Sequence, residues 1–222
     1  MTTQITASTS EQYTATNAER KLAQVISYLF HPLFIPILVV WLMLYQHPIH
    51  YLLTDGPIRL RLMAMTFINT LFLPGFVVFL LWRLKFIPNM YLESRKDRII
   101  PLNVVLIFYF WAFYVGRNLD AIPVAMQQWL LGVFLGSCAA MFCNIFFKIS
   151  LHTIAVGGAV FFFAQRMYHD PYWPAWWIIP VVLIAGLVGT ARLLRNAHQQ
   201  GELYAGYLVG AICQLAAMLV IH

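Results

Sequence analysis

Residues 124–147 read VAMQQWLLGVFLGSCAAMFCNIFF, a stretch without a single Asp, Glu, Lys or Arg. Crossing the hydrocarbon core of a bilayer takes about 20 apolar residues wound as a helix, so this stretch alone predicts a membrane span. Working outward from it, uncharged runs also occupy 22–46, 62–82, 99–116, 149–165, 172–191 and 203–221. The runs 99–116 and 149–165 are short, and are expected either to tilt or to borrow residues from their polar ends. The predicted fold is all-α, a polytopic transmembrane helix bundle of about seven helices.

Composition leads to the same class. Of 222 residues, 61% are hydrophobic and 10% charged, where soluble domains carry roughly 45–50% and about 25%. So few charges cannot cover that apolar surface in water. Cys138, Cys143 and Cys213 all lie inside apolar runs and read as small buried hydrophobes, not as a disulfide or metal framework. The net charge of +6 is scattered over segment ends with no basic stripe interleaved with aromatics, which argues against a nucleic-acid partner. Residues 1–19 are polar and are expected to form a disordered tail, leaving 20–222 as one transmembrane domain. Arg83 to Arg98, the longest polar connection, is too short to fold alone. Gly157 with Gly158, Gly186 with Gly189, and Gly206 with Gly210 predict close helix contacts. Tyr168, Tyr172, Trp173, Trp176 and Trp177 predict an interfacial belt.

Counting seven spans assigns Arg20, Lys21, Arg83, Lys85, Arg95, Lys96, Arg98, Lys148, Arg192 and Arg195 to the N-terminal face. Arg59, Arg61, Arg117 and Arg166 fall on the other. The excess predicts a cytoplasmic N-terminus in a bacterial inner membrane. It disappears once Arg95, Lys96, Arg98, Lys148, Arg192 and Arg195 are set aside as possible site residues.

Three stretches on that face carry the chemistry: Glu93-Ser94-Arg95-Lys96-Asp97-Arg98, Lys148-Ile149-Ser150-Leu151-His152 and Arg192 to Glu202. Ser150 is placed to cap the helix of run 149–165, leaving amides near Leu151 and His152 to face an anion. His198 and Glu202, four apart, share a helix face, so the carboxylate can hold one ring nitrogen and leave the other as nucleophile or base. Cations without matching acids call for an anion, and phosphate suits the planar fork of arginine. Two histidines beside one phosphate allow one to attack and the other to protonate the leaving group. His31, His47, His50, His169 and His222 read as interfacial or structural. No run of acids and histidines has metal-ligand spacing, so neither a metal nor another cofactor is expected.

This pattern resembles the type 2 phosphatidic acid phosphatase family, also called the lipid phosphate phosphatases, over about residues 93–210. That family carries Lys-x6-Arg-Pro, Pro-Ser-Gly-His and Ser-Arg-x5-His-x3-Asp. Arg192, His198 and Glu202 reproduce the spacing of the third motif, which is the specific one. Ser150 and His152 match the second, and Arg98 the first, with Pro101 two places late. The departures are Glu202 for Asp, Leu151 for Gly, Ala191 for Ser, and Tyr91 where the first-motif Lys would stand. Two apolar runs also separate the first two motifs, which the family usually holds in one loop.

The resemblance implies a metal-independent lipid phosphate phosphatase working through a phosphohistidine. His198 would be the nucleophile, Glu202 its orienting partner and His152 the general acid. Arg98, Arg192, Ser150 and one of Arg95, Lys96 or Lys148 would hold the phosphate. A lipid phosphotransferase of the same mechanism and a non-catalytic lipid-binding scaffold remain open. The expected partners are a phosphorylated lipid and the surrounding membrane lipids. Oligomeric state and the identity of the lipid are not legible.

Overall fold

A computed structural model of the chain describes residues 15–88, 94–119 and 122–221. The helices are α1 (Asn17–Leu29), α2 (Ile35–Tyr45), α3 (Pro48–Leu53), α4 (Gly56–Phe67), α5 (Leu73–Arg83), α6 (Ile99–Arg117), α7 (Val124–Phe146), α8 (Leu151–His169), α9 (Ile178–Leu194) and α10 (Gln200–Val220). Among the described residues there is no strand. A π turn, Ile68–Phe72, fuses α4 and α5 into one rod spanning Gly56–Arg83. Pro74 explains the turn. It has no N–H to return to the preceding turn, and the ladder loosens to the wider i→i+5 pattern just before it, with the Leu73 N–H reaching the Ile68 carbonyl.

Among the described residues, five helices are long and apolar enough to cross a membrane: the α4–α5 rod, α6, α7, α9 with its opening 3₁₀ turn, and α10. The chain is thus an all-helical, multi-pass membrane protein. Two of the seven expected runs, 22–46 and 149–165, fall outside this set for physical reasons. α8 has the 19 residues of α6, but His152, Thr153, Gln165, Arg166 and His169 make it less apolar. It buries much of its surface against α10, α9 and α7. The run 22–46 is broken. Pro32 stands where its ring would collide with the helix turn before it, so α1 ends at Leu29 and α2 restarts at Ile35 with Pro36 in its first turn. At about 1.5 Å per residue, the 11-residue α2 is too short to span alone.

Most of the expected polar tail, residues 1–14, lies outside the described residues. Its last part is helical, not disordered. Thr16 caps α1 in a reciprocal box with Glu19, so Asn17 to Glu19 form the first turn. α1 packs on α9 through buried Ala23 and Ser27. It leaves Leu22, Val25 and Leu29 exposed along one face beside Arg20 and Lys21, the pattern of a helix lying in a membrane interface.

The tightest contact joins α8 to α10. A Cβ on Gly157 would stand 2.7 Å from the Tyr207 Cα, and one on Gly210 would collide with the Ile154 carbonyl. These helices touch backbone to backbone, as the small-residue pairs predicted. Gly186 is different: nothing lies within 4 Å of its would-be Cβ, so it makes no close contact. The N-termini of α6, α8 and α10 and the C-terminus of α9 gather at one end of the bundle, around one cavity.

Candidate active site

α9 ends in a hydrogen-bonding pattern that dictates where His198 falls. The Ala197 N–H returns to the Arg192 carbonyl at 3.1 Å, and the Asn196 N–H returns to the Leu193 carbonyl at 2.8 Å. This is a Schellman motif, and it needs a left-handed residue at its turn. Asn196 supplies it with φ 49°; asparagine is among the few non-glycine residues that tolerate this region. The chain reverses within four residues and begins α10 at Gln200, bringing His198 back under Arg192. Glu202, in the first turn of α10, closes a capping box with Gln199 and places its Oε2 2.7 Å from His198 Nδ1.

The carboxylate can only accept, so the Nδ1–H donates and Nε2 keeps its lone pair. His198 is buried and lines the cavity. Burial lowers its pKa to about 4, with Arg192 and Arg98 pushing the same way and Glu202 opposing them. The ring is therefore neutral near pH 7, with a free nitrogen.

Ser150 caps α8, its Oγ accepting from the Thr153 N–H at 3.5 Å. His152 follows in the first turn of α8 and lines the same cavity. Its Nε2 lies 3.1 Å from the Ser27 carbonyl of α1, so that nitrogen carries the proton and donates. The His31 ring, in the break after α1, meets the His152 ring edge-on at 5.5 Å between centroids. The Pro32 break is what turns His31 and the Ser27 carbonyl toward α8.

The cavity measures about 580 Å³. Arg98, Lys148, Arg192 and Arg195 line its mouth with the two histidines. Arg98, just ahead of α6, is buried and donates to the Ile149 carbonyl at 3.2 Å. Burial draws its pKa below the usual guanidinium value while Glu202 opposes.

Of the site residues expected from sequence, His198, His152, Arg98, Arg192 and Lys148 line this cavity, and Glu202 reaches it through His198. Ser150 is fully buried, spends its hydroxyl on the cap, and does not line it. Arg95 is turned away. It donates to the Phe146 carbonyl at 2.7 Å and the Ile145 carbonyl at 3.3 Å, closing the C-terminus of α7, where a cation also suits the helix dipole. Lys96 is exposed and outside the cavity wall. Glu93 and Tyr91 lie outside the described residues. Sequence reading missed His31 and the Ser27 carbonyl, and it left Arg195 out of the phosphate set. The Pro32 next to His31 was the available signal that this histidine would leave a helix and turn inward.

Among the described residues, no three His, Cys, Asp or Glu side chains gather as a metal site requires. Compared with protein-family models, curated proteins and solved structures, the chain has no match.

Proposed function

We propose that the protein is a membrane-embedded phosphatase for a lipid phosphate, working through a phosphohistidine. The observation that carries this reading is His198, with Nδ1 held by Glu202 at 2.7 Å and its ring in the same cationic cavity as His152. In the first step, His198 Nε2 forms a bond to phosphorus as the bond to the lipid oxygen breaks. The positive charge that develops on the ring falls to Glu202. The departing oxygen takes the Nδ1 proton of His152, which enters the step as an imidazolium and leaves it neutral, its Nε2–H still held by the Ser27 carbonyl. In the second step, water attacks phosphorus and gives its proton to His152, the P–N bond breaks, and His198 is regenerated.

The Ser27 carbonyl stands toward His152 as Glu202 stands toward His198. It pins the proton at Nε2, so Nδ1 is the nitrogen that exchanges protons with the substrate. A carbonyl stabilises an imidazolium less than a carboxylate does, which suits a ring that must release its proton. Arg98, Arg192, Lys148 and Arg195 compensate the phosphate charge. Phosphoryl transfer needs positioning and charge compensation above all. With Arg95 and Lys96 outside the cavity wall, the site-side face keeps six cations against four once Arg98, Lys148, Arg192 and Arg195 are set aside, and we assign it to the cytoplasmic side.

The test is phosphate release by the purified protein from a panel of lipid mono- and diphosphates, with acid-quenched trapping of phosphate on the protein. Turnover and trapping should both vanish in His198→Ala. Near-normal turnover in that variant would reject the mechanism, and no turnover of any lipid phosphate by the wild type would leave a lipid-binding scaffold as the better reading.

A further inference from the structure

Behind its cationic mouth, the cavity changes character. Along α6 the lining residues are Arg98, Pro101, Leu102, Val105 and Tyr109, at the three- and four-residue spacing of a single helix face. Along α7 the wall runs from Ala140 at the mouth through Ser137, Gly136, Val133 and Gly132 to Trp129. Each wall runs over eleven helical steps, about 16 Å at the helical rise, or roughly half of a ~30 Å hydrocarbon core. α8 and α10 complete the slot with Gly158 and Gly210, where the two backbones lie in contact.

The far end is closed by groups of another kind. Trp129 and Tyr109 are both buried. Gln214, 2% exposed, donates from Nε2 to the Trp129 carbonyl at 3.4 Å and leaves its Oε1 buried without a partner. An apolar chain pressed onto that oxygen would hold it desolvated and unpaired, which is unfavourable. The apolar slot therefore has a polar floor.

We infer that this slot is the binding site for one hydrocarbon chain of an anionic lipid, whose phosphate lies at the His198 mouth and whose chain ends short of Gln214. The inference rests on the proposed phosphatase reading for the identity of the head group; the slot itself rests on its apolar walls. An anionic head suits the mouth because Arg98, Lys148, Arg192 and Arg195 line it. The slot is a chain-length gauge: methylenes are buried as far as the floor, and longer chains gain nothing more.

Two substitutions move the floor in opposite directions. A Cβ on Gly136 would meet only Ile154 Cγ2, at 3.4 Å, an ordinary contact. Gly136→Leu therefore fills the slot part-way without driving the helices apart. Gln214→Ala removes the floor and deepens the slot.

The experiment uses the full chain in nanodiscs and a homologous series of monoalkyl phosphates, with affinity read by titration and phosphate release read separately. The expected wild-type result is an affinity that rises about fourfold per added methylene and then flattens. Gly136→Leu should bring the plateau to shorter chains, and Gln214→Ala should carry it to longer ones. On the wild type, a monoalkyl phosphate with a terminal diazirine should label Trp129, Tyr109 or Gln214. Affinity independent of chain length, or labelling of outward residues such as Phe79 and Leu187 (both exposed), would overturn the slot. Floor labelling and a plateau without phosphate release would uphold the slot and reject the phosphatase.

Discussion

The His198 ring is held by one strong partner and opposed by two cations, and its behaviour with pH follows from that balance. Its pKa is lowered to about 4 from an ordinary 6.5. Protonation removes the nucleophile, so the acid limb of kcat/KM that belongs to His198 should lie below 6.5, while loss of the His152 proton sets the limb on the basic side. Glu202 is the group that raises this pKa. Glu202→Gln should therefore shift the acid limb to still lower pH while reducing the maximal rate, because an amide stabilises imidazolium poorly. A pH–rate profile of both proteins checks the two effects together; an acid limb near 6.5 in the wild type would contradict the role given to burial and the two arginines.

His31 acts on His152 by contact, edge to face at 5.5 Å. His31→Ala should free the His152 ring and lower turnover on the order of tenfold, within the ~10²-fold that misplacing a catalytic group can cost. The loss should be greatest for alkyl phosphates and least for p-nitrophenyl phosphate, whose leaving group needs little protonation. His31→Phe keeps the edge contact and should recover much of the rate. Equal losses on both substrates would assign His31 to folding alone.

Helix ends and helix contacts decide whether these rings meet. The turn after α9 depends on Asn196 at φ 49°. Asn196→Val puts a β-branched residue in the left-handed region and should cost about 1–2 kcal/mol, whereas Asn196→Gly should be tolerated; thermal unfolding in detergent reads both. Between α8 and α10, Gly210→Leu would push a side chain into the Ile154 carbonyl. About 1–3 kcal/mol of overpacking strain should lower the melting temperature and pull His152 away from His198, with loss of turnover.

At this scale the sequence was legible where pattern is local. The uncharged runs became helices, and the glycine pairs on α8 and α10 became backbone contacts. It was less legible where a proline decides between kink and break. Pro74 and Pro180 stay inside helical rods, while Pro32 ends α1. Pro180 lies in the first turn of α9, where its missing N–H breaks little, and the π turn before Pro74 absorbs its lost bond.

For the molecule as a whole, the two-histidine mechanism carries its charge compensation in arginine and lysine, and the prediction is that phosphate release survives EDTA. Loss on chelation, restored by magnesium or zinc, would contradict it. Vanadate should inhibit, since a trigonal-bipyramidal oxyanion matches a pocket shaped for the transition state. Of the candidate site, the residues legible in sequence were those whose spacing fixes their direction: His198 and Glu202 by a helical turn, Arg192 by the Schellman reversal. Arg95, Lys96 and Ser150 share the same short stretches as true lining residues, but nothing in one-dimensional spacing says which way a flanking cation turns or whether a cap hydroxyl has capacity to spare. His31 was illegible because its relation to His152 exists only after α1 has docked.

That docking bears on the order in which the chain is made. The Ser27 carbonyl and the His152 it holds are 125 residues apart, and α1 rests on α9, one of the last helices to be synthesised. A nascent chain that has inserted everything through α8 owns His152 but lacks His198 and the α9 surface on which α1 packs. The second histidine arrives only with the turn before α10. No shorter translation intermediate can hold the complete set, so the pocket that joins His152 to His198 would assemble only as α9 and α10 enter the membrane.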